Sequence, residues 1–260
     1  MTIADDPLLS LVVGGHSADE NLRRAIAAGA VVLQKNGKLR MASPLPTPDD
    51  DATLVRYVQL MGHPGELVQP CHFLNDFLFD HVYAQAAVPF GCRDCYKVKI
   101  TPRTPGQLLA LAPLVRATGQ TAKSGIETDT GNLESRFSTL FYSRGLARAR
   151  ALYRELRGRM DAHPRLGPSV EMTIKRGCSN YEARLGRSDA YTFDPRLEAV
   201  EALLFAAFRR KRTSAGDRLK ARARMLGQLL WAAGAYLRSR LKPSMRKPAR
   251  PVIVSYPAEP

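Results

Sequence analysis

The chain has 260 residues, of which 45% are hydrophobic and 24% charged, with four cysteines and a formal charge of +15. That composition excludes a disordered chain, and a chain of this length buries enough apolar surface to fold without disulfides. No run of about 18 uncharged apolar residues appears, so no membrane-spanning helix is predicted. Met1 to Pro7 has no basic start leading into an apolar run, and the expectation is a cytoplasmic protein.

Leu8 to Gly14 reads as a short buried strand. Ser17 or Asp19 then caps a helix over Glu20 to Ala28, with Leu22, Ile26 and Ala27 on one face. Asn36-Gly37 between two alternating runs predicts a tight hairpin, because both turn positions need positive φ. Pro44 to Pro48 is a linker, and Asp49, Asp50 and Asp51 open the next helix, where carboxylates complement the macrodipole. Leu54, Tyr57, Val58 and Met61 give that helix its face, and Pro64-Gly65 breaks it. A second helix runs from about Pro70 to Ala87, with Phe73, Leu74, Phe77, Leu78, His81 and Val82 on one side.

From Pro89 to Phe193 strands and helices alternate. Tyr96 to Ile100 alternates as a half-buried strand, and Thr104 or Pro105 starts a helix through Leu114 that Gly119 ends. Ala122 to Ile126 is a short strand. A long helix over Leu133 to Ala162 carries Phe137, Leu140, Ala149, Leu152 and Leu156 on its apolar side and stops at Pro164. Val170 to Arg176 alternates again and ends at Gly177-Cys178. A helix from Leu197 to Arg210 follows, and then one from Asp217 to Leu241 with Leu219, Ala223, Leu226, Leu230, Ala233, Leu237 and Leu241 in one stripe. The fold class expected is α/β or α+β. A mixed sheet with packed helices fills residues 1–200, and a basic helical extension with a proline-rich tail fills residues 201–260.

The charge is uneven. Residues 201–260 hold fourteen Lys and Arg against three acids, a net of +11, which leaves +4 for the first 200. Such a block reads as an attachment surface for a polyanion, either nucleic acid or an anionic membrane surface. The stripe of the 217–241 helix also suits packing on the body of the protein or on a second copy, giving a homo-oligomer.

Cys71, Cys92, Cys95 and Cys178 are the whole cysteine inventory, in a chain expected to be kept reduced, where paired cysteines more often bind metal than form disulfides. Cys92-Arg93-Asp94-Cys95 is the one pair at chelating spacing, and Gly91 eases the tight backbone that chelation requires. Two further cysteines complete a set of four. The leading expectation is a [4Fe–4S] cluster on all four thiolates, serving electron transfer or an enzyme reaction at the cluster, with the substrate unspecified. The alternatives are a structural zinc ion in a nucleic-acid-binding protein, a redox dithiol at Cys92 and Cys95, and thiols that are simply small buried hydrophobes. A further alternative is a peripheral membrane protein anchored by the C-terminal helix.

Lys175 and Arg176, beside Cys178, are candidates for holding the cofactor, since cations near a thiolate-ligated cluster offset its negative charge. If the strands next to Cys95 and Cys178 share a sheet, an antiparallel relation puts both cysteines at one edge, whereas a parallel one separates them by a strand length. His72 and His81, nine residues apart, fall on opposite sides of an α-helix and do not share an ion. Lys123, Glu127 and Asp129 surround a strand end and read as a solvated turn. No Walker loop, dinucleotide fingerprint, G-x-S-x-G or H-E-x-x-H motif is present.

Overall fold

The computed structural model describes residues 6–42, 57–63, 71–127, 137–208 and 255–257. The Asp6 side chain caps a 3₁₀ turn at Pro7–Ser10, which leads into the short strands β1 (Val12–Val13) and β2 (His16–Ser17). The expected single strand over residues 8–14 is therefore a turn and a two-residue strand. Helix α1 (Ala18–Ala27) follows, with Ser17 accepting from Glu20 N and the Glu20 carboxylate accepting from Ser17 N, a reciprocal cap that satisfies two otherwise orphaned donors.

Strands β3 (Val31–Leu33) and β4 (Leu39–Met41) form the predicted hairpin. Its loop is wider than a two-residue turn: Gln34 N donates to Lys38 O, and of Asn36 and Gly37 only Gly37 has positive φ. The Asn36 side chain instead accepts from Lys38 N, and this local bond stabilises the longer loop.

Strand β5 (Tyr57–His63) is followed by a π-helix at His72–Val82. The helical face expected through Tyr57, Val58 and Met61 is thus a strand, because pairing with a neighbouring strand overrides a weak helical spacing. The second predicted helix is present, but its wide i→i+5 winding changes which side chains share a face. Phe79 joins Phe73, Leu74, Phe77, Leu78 and Val82 in the core, and His81 is only partly buried.

The remaining elements are β6 (Cys95–Thr101), α2 (Pro105–Ala110, capped by Thr104), α3 (Ala112–Ala117), β7 (Ala122–Glu127), β8 (Phe137–Arg144), α4 (Leu146–Asp161), β9 (Glu171–Arg176), α5 (Ser179–Leu185) and α6 (Leu197–Ala207). The long helix expected over 133–162 is in fact β8, then Gly145, then α4. Phe137-Ser-Thr-Leu-Phe-Tyr142 is buried on both faces in the middle of a sheet, and such a run has no periodicity that separates strand from helix.

Five of these strands make one sheet in the order β5-β7-β8-β6-β9, every neighbour antiparallel. The fold is α+β. One sheet face, with Val98, Ile100, Phe141 and Ile174, packs on Ala149, Leu152, Leu156 and Met160 of α4. The other, with Cys95 and Tyr142, meets a layer built from the π-helix, Tyr181 and α6. Near the chain end, Tyr256 N donates to Ile174 O and its ring meets Tyr96 edge-on. The basic segment that includes the predicted 217–241 helix lies outside the described residues, as does the helix start at Asp49 to Asp51. Among the described residues no helix is long and apolar enough to cross a membrane.

Candidate functional site

Cys95 opens β6, and Cys178 stands at the N-cap of α5, two residues beyond β9. β6 and β9 are antiparallel with Tyr96 opposite Arg176, and Gly177 N donates to Cys95 O at 2.9 Å. Both cysteines therefore lie at one end of the sheet, as the antiparallel case requires. Gly177 has φ +67°, and a Cβ there would stand 3.2 Å from the Tyr181 ring, so the turn that delivers Cys178 needs glycine. Cys71 occupies the N-cap position of the π-helix without a side-chain capping bond, and Cys92 ends the 3₁₀ turn Phe90–Cys92. All four thiols are free; Cys92 and Cys95 are buried, Cys71 and Cys178 half-buried.

Three separate stretches of chain thus bring the thiols together. In every pairing among the four, a charge on one sulfur disfavours a charge on the other. Burial pushes the Cys71 thiol up, with Cys178 adding to it. Burial, Cys178 and Cys95 hold Cys92 well above the ordinary range. Burial also pushes Cys95 up to about 12, although Lys97 pulls the other way. These three are protonated thiols at neutral pH. Tyr181 is fully buried with its hydroxyl 3.5 Å from Cys92 Sγ, and burial and the adjacent cysteines keep it a neutral phenol. Among the described residues, no three His, Cys, Asp or Glu side chains stand at the spacing of a single bound ion. The thiols are neighbours, not a closed chelate.

The cation against the sulfurs is Lys97. It is 4% exposed, donates from Nζ to Cys178 Sγ at 3.2 Å and sits 5.1 Å from the Tyr142 ring centre. Burial would lower its pKa, but Cys178, Tyr142, Cys95 and Cys71 hold it well above the usual lysine range. No carboxylate among the described residues pairs with it.

The two cations expected from the sequence have other partners. Lys175, on the same sheet face as Lys97 and directly opposite it, donates to Glu182 of α5 at 2.8 Å, with the two side chains 3% and 1% exposed. Arg176 alternates to the opposite face and reaches round to the Arg93 carbonyl through Nε at 3.1 Å and Nη2 at 2.6 Å. It ties down the backbone between Cys92 and Cys95. The other side of that loop is held by Glu201 of α6, whose carboxylate accepts from Phe90 N at 2.6 Å, Gly91 N at 2.8 Å and Tyr83 Oη at 3.1 Å. Gly91 is where the expected glycine is needed, for closeness: a Cβ would meet Leu74 Cδ2 at 3.0 Å and Glu201 Oε2 at 3.1 Å. Beside this loop a cleft of about 310 Å³ reaches Cys95 between Phe73, Arg93, Arg144 and Phe205.

His72 bonds Asp76 through Nδ1 at 2.7 Å and packs edge-on against Phe208, serving the helix it starts. Lys123, on β7, projects its charge onto Cys71 and Asp76 and so belongs to the surroundings of the thiols. Sequence reading missed Lys97, Tyr181 and Glu201. Only Lys97 had a signal, since a residue two places from Cys95 in a strand shares its face.

Comparison with protein-family models, with curated proteins and with solved structures finds no match to this chain. What the geometry defines is a class by architecture: an α+β protein with an all-antiparallel five-stranded sheet and a buried thiol–ammonium site at one end of it.

Proposed function

We propose that the protein is an iron–sulfur protein in which Cys71, Cys92, Cys95 and Cys178 ligate a [4Fe–4S] cluster, used for electron transfer or for an enzyme reaction at the cluster. The observation that carries this reading is Lys97, a buried ammonium whose hydrogen-bond partner is a cysteine sulfur and not a carboxylate. An isolated buried ammonium costs several kcal/mol, a penalty that a nearby anion offsets. Four thiolates around an oxidised cubane make a dianion at that spot.

The donor set fits the group, since a cubane takes four thiolates from any spacing that the fold brings together. Zinc needs all four sulfurs at about 2.3 Å from one point; a cubane spreads them over four irons, one thiolate to each. When bound, the cluster supplies one-electron chemistry. The chain's own residues do the rest. Lys97 donates N–H to the Cys178 sulfur, which raises a cluster's potential, and the buried Cys92 and Cys95 keep water from one side. The half-buried Cys71 and Cys178 form the side on which electrons or substrate arrive.

The test is metal and sulfide analysis of anaerobically purified protein. About four irons and four sulfides per chain, with absorbance near about 400 nm, are expected. Colourless protein with one zinc transfers the assignment to a zinc-stabilised protein. Failure to take up either metal, after reconstitution with iron and sulfide under reducing conditions, overturns the metal reading altogether.

A further inference from the structure

Lys97 Nζ lies 3.2 Å from Cys178 Sγ, within the about 3–3.5 Å at which two groups held by a fold stand ready to react. Both ends of that contact are fixed. Lys97 sits on β6 with β8 and β9 on either side, is 4% exposed, and has the Tyr142 ring centre 5.1 Å away. Cys178 leaves β9 through Gly177, whose N–H donates to Cys95 O, and enters α5, which Glu182 ties to Lys175. The two facing lysines therefore have different chemistry in front of them. Lys175 meets a carboxylate, with which it makes an ion pair and nothing more. Lys97 meets a sulfur, an atom that oxidants change.

Access singles out the same sulfur. Cys92 and Cys95 are buried, whereas Cys178 is half-buried, so a small neutral oxidant reaches it from solvent. A cysteine attacks a peroxide through its thiolate form, and the sulfenic acid that results condenses with a neighbouring thiol or nitrogen. At Cys178 the nitrogen is already in hydrogen-bond contact.

We propose that Cys178 and Lys97 are a modification site, joined by a reducible N–S bridge when the metal-free protein meets a hydroperoxide. In the first step the Cys178 thiolate attacks one peroxide oxygen and the O–O bond breaks. The departing hydroxide takes a proton from the Lys97 ammonium, which leaves a sulfenic acid, a water and a neutral amine. In the second step the amine nitrogen attacks the sulfenic sulfur, the S–O bond breaks, and hydroxide leaves as water with an amine proton. Sulfur loses two electrons and the peroxide gains them, so thiolate, ammonium and peroxide become one sulfenamide and two waters. A dithiol reduces the bridge back to thiol and amine. The bridge does not depend on the iron–sulfur reading, but its consequence rests on it. A bridged chain keeps three of its four thiols, where a cubane takes four, so the oxidised empty site refuses iron until it is reduced.

Metal-free, reduced full-length protein is treated with hydrogen peroxide, the remaining thiols are blocked with iodoacetamide, and tryptic peptides are mapped by mass spectrometry. The expected product joins the peptide of Lys97 to that of Cys178 at about 2 Da below their sum. Cys95 in it is alkylated, trypsin has not cut after Lys97, and dithiothreitol separates the two halves. Lys97→Arg keeps the charge, but a guanidinium does not give up its proton. Cys178 in that variant is oxidised at least about tenfold more slowly, forms no bridge and accumulates as a sulfenic acid that dimedone captures. Far-UV circular dichroism checks the variant's fold, and the parent's own peptide map decides the matter whether or not the variant folds. A disulfide from Cys178 to another cysteine, a sulfinic acid at Cys178 beside an unmodified Lys97, or a Cys178 as inert as Cys92 overturns the bridge. A bridge in protein that never takes up iron leaves this site standing while the cluster falls, and iron loading in protein that forms no bridge does the reverse. Bridged protein that loads four irons without a reductant overturns the consequence for the cluster.

Discussion

Breaking the Lys175–Glu182 pair tests why α5, and with it Cys178, sits where it does. The ammonium and carboxylate are 2.8 Å apart and their side chains 3% and 1% exposed, so a single substitution leaves a charge stranded in the interior. Removing one partner of such a pair costs about 3–5 kcal/mol, a large part of the ~5–15 kcal/mol that holds a domain folded. Burial already lowers the Lys175 pKa, and the facing Lys97 lowers it further. Glu182→Gln leaves the Lys175 ammonium opposed to Lys97 across the strand pair, whereas Lys175→Met removes that repulsion together with the pair. The acid's loss is therefore the larger. Glu182 Oε1 has no hydrogen-bond partner among the described residues, so the pair is not fully compensated. Lys175→Met with Glu182→Leu together is then expected to fall within about 1 kcal/mol of the parent. Urea unfolding of metal-free, reduced protein, followed by far-UV circular dichroism with the slope checked for constancy, measures all four corners of the cycle. Single substitutions costing under about 1 kcal/mol, or a double variant equal to the sum of the singles, would refute the argument. If Lys175→Met left stability intact but impaired metal loading, Lys175 would be the cofactor-holding residue that its place beside Cys178 suggests.

Two other outcomes follow from the same site. Glu201→Ala strips the acceptor from Phe90 N, Gly91 N and Tyr83 Oη; each bond to a charged acceptor is worth about 1.5–3 kcal/mol. The gain from no longer burying a carboxylate whose pKa burial raises offsets part of that. A net loss of about 3 kcal/mol is expected, with faster hydrogen exchange at Phe90 and Gly91 than in α4, and unchanged protection of those two amides would rule the clamp out. Metal loading, in turn, releases protons. Cys71, Cys92 and Cys95 have thiol pKa values raised above 9.0, so below that pH they enter as thiols and leave their protons on ligation. Affinity therefore rises with pH through the neutral range. Indicator-dye titration in weak buffer is expected to register at least these three protons per chain, and a pH-independent affinity would show that those sulfurs are not the ligands.

Much of the fold is legible where the signal is local. Ser17 with Glu20 three residues on, Thr104 before Pro105, and the alternation of Tyr96 to Ile100 each contain their own partner or period within a few positions. The misread segments share one cause. Tyr57–His63 and Phe137–Arg144 are apolar or mixed runs whose state depends on which strand lies alongside, and for β8 burial on both faces erases the period-two pattern. The width of the π-helix was likewise invisible, because residues spaced at three and four also populate the face of a helix wound at four and five.

From the residues alone come the number of thiols, the chelating spacing of Cys92 and Cys95, and the rule that antiparallel strands would bring Cys95 and Cys178 to one edge. Chain folding decided the rest: that β6 and β9 are antiparallel neighbours, and that of two facing lysines it is Lys175 that α5 neutralises through Glu182 while Lys97 is left to a sulfur 81 positions away. Residue types and short spacings carry their chemistry along the chain, whereas the partner of a buried charge is set by long-range packing, which no local pattern encodes.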